Sequence, residues 1–171
     1  KSFEEGIYRR DAVLETDDKV AYRLADIPLP NGVLRVDKVS VPNPTTIRLG
    51  HYTLPKIDGK SFSIEKSKKV PEATIIGNGE YKLATIPLYG WDATTVHYPV
   101  GLHPVSDQCS LIMSEKAVSG EHIMVTLHLW KKGKKSFSSK ELNPVKQIKV
   151  ADDLGSVEIT LADNSIKTVT F

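Results

Sequence analysis

The densest group of polar and aromatic side chains in this chain lies between residues 88 and 104. It contains Trp91, Asp92, His97, Tyr98 and His103. A flat aromatic ring can cover the apolar C–H face of a sugar, while a carboxylate and imidazoles hydrogen-bond to its hydroxyl groups. These residues are therefore the first candidates for a ligand-binding site, and the ligand that fits them is a glycan.

Two other interpretations of this segment stay open. Asp92, His97 and His103 offer the carboxylate and imidazole ligands that zinc accepts, but their spacing matches no established zinc motif. In the other interpretation, Trp91 and Tyr89 fill a hydrophobic core and the histidines lie on a solvated surface. We predict a site with no metal and no cofactor.

A second candidate pair, His51 and Tyr52, is adjacent in the sequence. A histidine beside a tyrosine can supply the base and the acid of a proton abstraction. Neighbouring residues of an extended strand point to opposite faces, so both can act on one substrate only if the backbone bends there. We count both as ligand-binding candidates and assign no catalytic residue.

Three further side chains share one face of a predicted strand: His122, His128 and Trp130. The two histidines are about 20 Å apart along an extended chain, which is too far to bind one ion together, so we predict a structural role for them. Trp130 is a candidate surface aromatic or, equally, a member of a neighbouring interface. The odd-numbered residues of this strand form the opposite, core-facing row: Val125, Leu127 and Leu129.

Charged and nucleophilic groups elsewhere carry weaker signals. Cys109 lies within an apolar segment, where cysteine usually acts as a small hydrophobe. The segment 9–11 (Arg-Arg-Asp) resembles an ion-pair cluster. Lysines are concentrated in 56–69 and in 131–140. These lysines could attract an acidic polysaccharide, although solvated hairpin tips explain them equally well.

Length and composition restrict the class of protein. The chain has 171 residues, 40% of them hydrophobic, which is enough for one domain with a sizeable core. Its 23 basic and 21 acidic residues nearly balance, which excludes a dedicated nucleic-acid-binding domain with a dominating positive field. No segment approaches the roughly 18 consecutive apolar residues of a membrane-spanning helix. The single cysteine excludes an internal disulfide.

The elements that must position the candidate residues are strands. Alternation of apolar and polar residues recurs along the chain and predicts about ten to twelve strands and little helix. Turn residues separate these segments at 31–32 and 119–120, and Pro42 and Pro44 are expected in connections. The segments 157–161 and 166–171 flank a short polar turn and predict a hairpin.

This pattern favours an all-β architecture. We predict an antiparallel two-sheet β-sandwich, similar to a supersandwich, that forms a single domain over residues 1–171. A closed barrel is the second choice. Because the chain begins with Lys1 rather than Met, we expect it to be a fragment or the C-terminal part of a longer chain.

The order of several motifs is similar to that of a known family. Residues 8–11 (Tyr-Arg-Arg-Asp) are followed by 31–37, by the pair at 51–52, and finally by an Asp-rich turn before a closing strand. This order resembles the C-terminal β-sandwich of heparinase II/III-like polysaccharide lyases and related bacterial glycan-processing enzymes. Those enzymes join an N-terminal helical toroid to such a domain. The resemblance implies that catalysis lies mainly on the helical domain, in a cleft facing the sandwich, and it assigns no catalytic residue to this chain.

From these observations we expect a non-catalytic or cleft-shaping domain of a secreted or periplasmic carbohydrate-active enzyme, a polysaccharide lyase or hydrolase. Its expected partners are a glycan, such as an acidic polysaccharide, and an upstream helical domain. The alternative is a free-standing β-sandwich for adhesion or assembly that binds a partner protein through its basic loops. A small complete enzyme with His51 or His97 as base ranks last, because no nucleophile or metal set accompanies either histidine.

Overall fold

The computed structural model describes residues 2–4, 6–13, 20–53, 56–57, 60–61, 63–67, 73–77, 80–97 and 110–171. In these residues the chain contains fourteen strands and no helix. The strands are β1 (Ser2–Glu4), β2 (Ile7–Val13), β3 (Ala21–Leu29), β4 (Gly32–Thr53), β5 (Lys56–Ile57), β6 (Lys60–Ser61), β7 (Ser63–Ser67), β8 (Ala73–Gly77), β9 (Tyr81–Tyr89), β10 (Ala93–His97), β11 (Ser110–Lys132), β12 (Val145–Val150), β13 (Ser156–Leu161) and β14 (Ile166–Thr170). Within the same residues, no helix is long and apolar enough to cross a membrane.

Two sheets form the body of the described structure. Nine strands make one sheet in the order β1-β2-β3-β4-β11-β9-β8-β7, and β10 also pairs with β11. A second sheet has the order β12-β13-β14, and β5 pairs with β6. The strands of both larger sheets are antiparallel to their neighbours.

A hydrophobic cluster joins the two sheets. On the large sheet it includes Leu34 and Leu127, and on the small sheet Val157 and Ile159, all of them fully buried. Because side chains alternate along a strand, the apolar side chains of each sheet meet between the layers. The predicted two-layer antiparallel sandwich is therefore confirmed. The core-facing row predicted on β11 is also buried in this cluster: Val125, Leu127 and Leu129.

The two central strands are longer than the sequence pattern predicts. The turn predicted at 119–120 lies inside β11, at a bulge in the ladder between β11 and β4 where the pairing register shifts and Gly120 has φ +81°. The connection predicted around Pro42 and Pro44 was also wrong, because both prolines lie inside β4. Gly120 pairs with Val41 and Val118 pairs with Thr45, so residues 42–44 of β4 stand opposite one residue of β11 and neither proline removes a ladder hydrogen bond.

The two hairpins predicted from turn residues are present. β3 and β4 are joined by a tight turn in which Leu29 pairs with Gly32. β13 and β14 form the predicted hairpin, with Ser156 paired to Thr170. In its turn Asn164 adopts a positive φ of 69°, a conformation that asparagine tolerates better than most residues.

Candidate functional site

The face of the large sheet that points away from the small sheet carries a buried polar network, and we call it the outer face. The Tyr22 hydroxyl donates to Oδ1 of Asp37 at 2.5 Å. Arg35 donates from Nε to the same oxygen at 3.1 Å and from Nη2 to the Tyr22 oxygen at 3.1 Å. Asp26 lies on the other side of Arg35, with Oδ1 at 3.9 Å from Nε. Asp37 is only 3% exposed, so one guanidinium and one phenol hold a buried carboxylate in place.

Burial controls the protonation of this network. It raises the pKa of Asp37, against the opposing effects of Arg35 and Tyr22, and it raises the pKa of Asp26. The pKa of Tyr22 is raised mainly by burial and then by the negative charge of Asp37. Tyr22 is therefore a protonated hydrogen-bond donor at neutral pH and is poorly suited to act as a base. Among the described residues, Oδ2 of Asp37 and Oδ1 of Asp26 have no hydrogen-bond partner.

Sequence reasoning missed this network, although a signal for it existed. The predicted hairpin turn at 31–32 fixes the register of β3 against β4, which places Asp26 opposite Arg35 and Leu24 opposite Asp37. Alternation then puts these residues on one face with Tyr22. Applying the turn and the alternation together would have predicted the cluster.

Trp91 lies on the same outer face and is half-buried. Its indole Nε1 donates to Oγ1 of the buried Thr126 at 2.9 Å. Its ring packs against an apolar cluster made of Val39, Val41, Val118 and Met124. Much of the Trp91 side chain is therefore packed within the protein. This supports, for part of the ring, the interpretation that Trp91 fills a hydrophobic core.

The backbone before Trp91 requires a glycine. Gly90 has φ +75°, and a Cβ at this position would overlap the carbonyl oxygen of Ile123. This close approach lets the chain leave β9 and place Trp91 over β11. Asp92 follows and is exposed.

The backbone register brings two of the other candidates into one row. Tyr52 on β4 and His97 on β10 both pair with Leu111 of the intervening strand β11. Two strand spacings separate them by about 10 Å. His51 lies in the adjacent row, paired with Ile112.

The candidate residues do not all converge. From Ala93, which follows Asp92, to His97 the strand β10 advances by about 13 Å. The row of Tyr52 and His97 is therefore displaced along the sheet from Trp91. Tyr98, His103 and Cys109 lie outside the described residues. Within the described part of the chain, no group of three histidine, cysteine, aspartate or glutamate residues is arranged to hold a metal ion.

The two histidines of β11 make contacts within the large sheet. His128 is buried, and its Nδ1 lies 3.4 Å from Oγ1 of Thr85 on β9. Nε2 of His122 lies 2.9 Å from the carbonyl oxygen of Ser119, beside the bulge. These contacts agree with the structural role predicted for the pair.

A cleft of about 580 Å³ opens at the end of the sandwich, between the β3–β4 turn, the end of β11 and the turn after β13. We call it the end cleft. Trp130, which is 51% exposed, is its largest aromatic lining residue. Asn31 and Asp163 line it from the two turns. The prediction that Trp130 is a surface aromatic is confirmed.

The charges in the end cleft are partly neutralised within the chain. Nζ of Lys131 lies 2.6 Å from Oε1 of Glu141 and 5.6 Å from the centre of the Phe137 ring. The hydrogen bond from Lys131, together with the backbone N–H of Ser138, lowers the pKa of Glu141 to about 2. Lys132 extends over the ring of Tyr81 at 5.7 Å. The cleft therefore combines an accessible indole with ionised and neutral hydrogen-bonding groups.

Comparison with known proteins shows which fold this is. No protein family and no curated protein matches the sequence. Among solved structures, the chain is similar to a heparinase III gene product with methylated lysines, at 11% identity and a TM-score of 0.57. That match covers 98% of this chain and 26% of the other. Two structures of the heparan sulfate lyase HepC from Pedobacter heparinus, one of them a mutant, match at 15% identity and a TM-score of 0.44, over 95% of this chain and 28% of theirs.

The likeness to the heparinase III gene product shows a shared fold. The resemblance expected from the order of motifs is supported at that level. This chain spans about a quarter of the length of the heparinase III chain, which it matches over 26%.

Proposed function

We propose that this chain is a cleft-shaping β-sandwich domain that contacts glycan within a carbohydrate-active enzyme of the polysaccharide lyase or hydrolase type. The observation that carries the proposal is the end cleft, where the half-exposed indole of Trp130 lies beside polar side chains. A cavity of about 580 Å³ is within the range that small ligands occupy. The fold shared with a heparinase III chain supports the same assignment.

The chemistry of the end cleft suits a sugar ring. The indole of Trp130 offers a flat apolar surface for the C–H face of a pyranose. Asn31 and Asp163 line the same cleft and carry amide and carboxylate groups that can hydrogen-bond with hydroxyl groups. Because Lys131 is paired with Glu141, it is fixed in position rather than available as a mobile cation.

The residues predicted from the sequence belong to a second contact surface in this proposal. Trp91 and Asp92 are on or beside the outer face, while Tyr52 and His97 share a row farther along the sheet. Their part in glycan binding rests on their chemistry and on this placement. The full set proposed is His51, Tyr52, Trp91, Asp92, His97, Tyr98 and His103.

Catalysis is assigned elsewhere in the proposed enzyme. Tyr22, which lies between Asp37 and Arg35, is held in its protonated form by burial and by Asp37. The heparinase III chain is about four times as long as the part that this chain matches, since the match covers 26% of it. We therefore propose an upstream helical domain, an acidic polysaccharide substrate and a secreted or periplasmic location for the whole protein.

Replacement of Trp130 tests this function. We expect Trp130→Ala to weaken binding of at least one glycan in a panel of neutral and acidic oligosaccharides by about tenfold, measured by titration calorimetry, because stacking contributes about 1 kcal/mol or more. Tyr89→Ala is the matched control, since Tyr89 is also an exposed aromatic but does not line the end cleft. Equal affinities of wild type and Trp130→Ala across the panel would exclude the end cleft as the glycan site.

The alternative, an adhesion or assembly module, has one supporting observation. Lys134, Lys135 and Lys140 are exposed in the loop after β11. Binding of a partner protein through these lysines should weaken as ionic strength rises, whereas stacking of a sugar on Trp130 should persist. Glycan affinity that is retained from low to high salt favours the first function.

A further inference from the structure

A second cleft, of about 330 Å³, lies at the opposite end of β3 from the end cleft. Its lining includes Arg9, Arg10, Asp11 and Arg23, with Thr170 from the small sheet. We call it the arginine cleft. Arg23 lines this cleft and Leu29 lines the end cleft, so the two are separated by about 20 Å along the strand.

The positive charges of this cleft are not balanced within the described part of the chain. Three arginines and one aspartate are among its lining residues, and alternation puts Arg9, Asp11 and Arg23 on one face of the sheet and Arg10 on the other. The Asp11 carboxylate is 3.8 Å from Nε of Arg23, and the Asp11 and Arg23 side chains are 78% and 52% exposed. An ion pair so exposed and so long contributes little. Arg9 and Arg10 form no ion pair and no side-chain hydrogen bond with any described residue.

Arg9 is the most informative of the three, because it is half-buried. Partial burial of a guanidinium group removes some of its water, and this cost is recovered only if a partner accepts its hydrogen bonds. Residues 9, 11 and 23 point to one face of the sheet, since Asp11 pairs with Arg23 and Arg9 is two residues away on the same strand. The same space therefore contains one cation that has no ion pair with the described residues, Arg9, and a second cation that is weakly paired, Arg23.

We propose that the arginine cleft binds a compact oxyanion: a carboxylate, sulfate or phosphate group. The planar guanidinium fork matches two oxygens of such a group, and charge-assisted hydrogen bonds of this kind are among the stronger ones in proteins. This site is distinct from the end cleft and from the predicted aromatic and histidine residues, so it goes beyond the proposed function.

Two kinds of ligand carry an oxyanion of this type. The oxyanion is either a substituent on a sugar chain, such as a uronate carboxylate or a sulfate ester, or a free inorganic ion. Both would contact Arg9 and its neighbours in the same way. The difference lies in the additional contacts that a sugar chain would make outside the arginine cleft.

Titration of the full chain with sodium sulfate, against sodium chloride at constant ionic strength, tests the site. We expect saturable sulfate binding by wild type and at least tenfold weaker binding by the double variant R9Q/R10Q. The matched control is K134Q/K135Q, which removes the same charge from two adjacent exposed lysines in the loop after β11. Absence of saturable binding by wild type, or equal weakening in the two double variants, would overturn the proposal.

A second, more conservative variant tests the site independently in case R9Q/R10Q does not fold. Arg9→Lys keeps the charge but removes the two-pronged donor, so we expect sulfate affinity to fall between the wild-type and double-variant values. Unchanged affinity in Arg9→Lys together with unchanged affinity in R9Q/R10Q would count against the site. Circular dichroism confirms that each variant tested is folded.

Comparison of two ligands then identifies the source of the oxyanion. A tetrasaccharide that contains glucuronate should bind at least tenfold more tightly than inorganic sulfate if the group is carried on a sugar chain, and R9Q/R10Q should reduce that difference. Equal affinities assign the cleft to a free anion. Trp130→Ala should leave sulfate binding unchanged, which separates this site from the proposed function of the end cleft.

Discussion

The two faces of the large sheet are both buried near its centre, but they are buried by different chemistry. The inner face presents aliphatic side chains to the small sheet, as Val36 and Leu127 do. The outer face buries Asp37, held by Arg35 and Tyr22. Aliphatic burial stabilises in proportion to the area removed from water, whereas a buried carboxylate stabilises only as far as its partners offset the loss of hydration.

This difference separates two roles, cohesion between the sheets and restriction of strand register, and assigns each to one face of the large sheet. The inner face supplies cohesion between the sheets and tolerates many apolar combinations of similar volume. The outer face restricts geometry, because the hydrogen bonds among Tyr22, Arg35 and Asp37 depend on the register of β3 against β4. Two of the aromatic residues proposed to contact glycan lie on the outer face, Trp91, and at the end of the sandwich, Trp130.

The largest expected effect tests the inner face. Leu127→Ala should lower the free energy of unfolding by about 3–4 kcal/mol, because it removes a fully buried side chain and leaves a cavity between the sheets. Ile166→Ala is the control, since Ile166 is 57% exposed and should cost less than about 1 kcal/mol. Chemical denaturation measures both. Similar losses would mean that the interface between the sheets is not the main source of stability.

The second prediction tests the packing of Trp91 on the outer face. Trp91→Ala should cost about 2–3 kcal/mol, because the ring packs on Val39 and Met124 and its N–H satisfies Thr126. Trp91→Phe keeps most of the apolar contact and loses the hydrogen bond, so about 1 kcal/mol is expected. A loss below about 0.5 kcal/mol in the alanine variant would show that Trp91 is a surface residue available mainly for ligand.

Much of the fold could be predicted because alternation and turn residues are local signals. Val125 and Leu127 are two residues apart on one strand, so alternation puts both on the same face whichever strands pair with it. The hairpin of β13 and β14 requires only a polar turn between two alternating segments. The continuity of β4 through Pro42 could not be predicted in this way. The proline is tolerated there because β4 has three residues opposite one residue of β11, and that bulge is a property of the pair of strands rather than of either segment.

The candidate sites also combine features that local sequence predicts with features that depend on contacts between distant segments. The position of Trp91 on a half-buried surface follows from local sequence only in part, because its hydrogen bond goes to Thr126 on another strand. The end cleft brings Asn31, Trp130 and Asp163 together from three separate turns and strand ends in two sheets. Such convergence depends on how the layers stack, and no spacing within one segment encodes it.

The third prediction uses the pH dependence of stability to compare two effects on Asp37: the loss of hydration on burial and the attraction of Arg35. Burial raises the pKa of Asp37 above its ordinary value of 3.8, so this group contributes stability below that value and loses it as pH rises through the folded-state pKa. Asp37→Asn removes the titration and resembles the protonated form. Relative to wild type, the variant should therefore gain stability as pH rises above about 3.8.

Denaturation midpoints of wild type and Asp37→Asn, measured at intervals from pH 3 to pH 8, check this prediction. Asp11→Asn is the control, because Asp11 is an exposed aspartate on β2. A gap between wild type and Asp37→Asn that widens in favour of wild type with rising pH would show that attraction by Arg35 outweighs burial.

The smallest effect concerns an exposed carboxylate whose pKa moves in the opposite direction. The hydrogen bond from Lys131 is the main reason that the pKa of Glu141 is lowered to about 2 from its ordinary 4.5. This group therefore contributes stability above pH 4.5 and loses it as pH falls toward 2. Its side chain is 44% exposed, so solvent screening limits the contribution of the ion pair to a few tenths of a kcal/mol.

Glu141→Gln should therefore lower stability by about 0.3–0.5 kcal/mol at pH 7, and the loss should disappear at about pH 2. Glu158→Gln is the matched control, because Glu158 is 43% exposed and lies 3.8 Å from Lys149, against 2.6 Å for Glu141 and Lys131. An equal loss in the two variants would mean that the short contact adds nothing beyond general surface charge. A larger loss in Glu141→Gln, confined to the pH range above 2, would show that hydrogen bonding fixes the loop beside Trp130 and so helps to shape the end cleft.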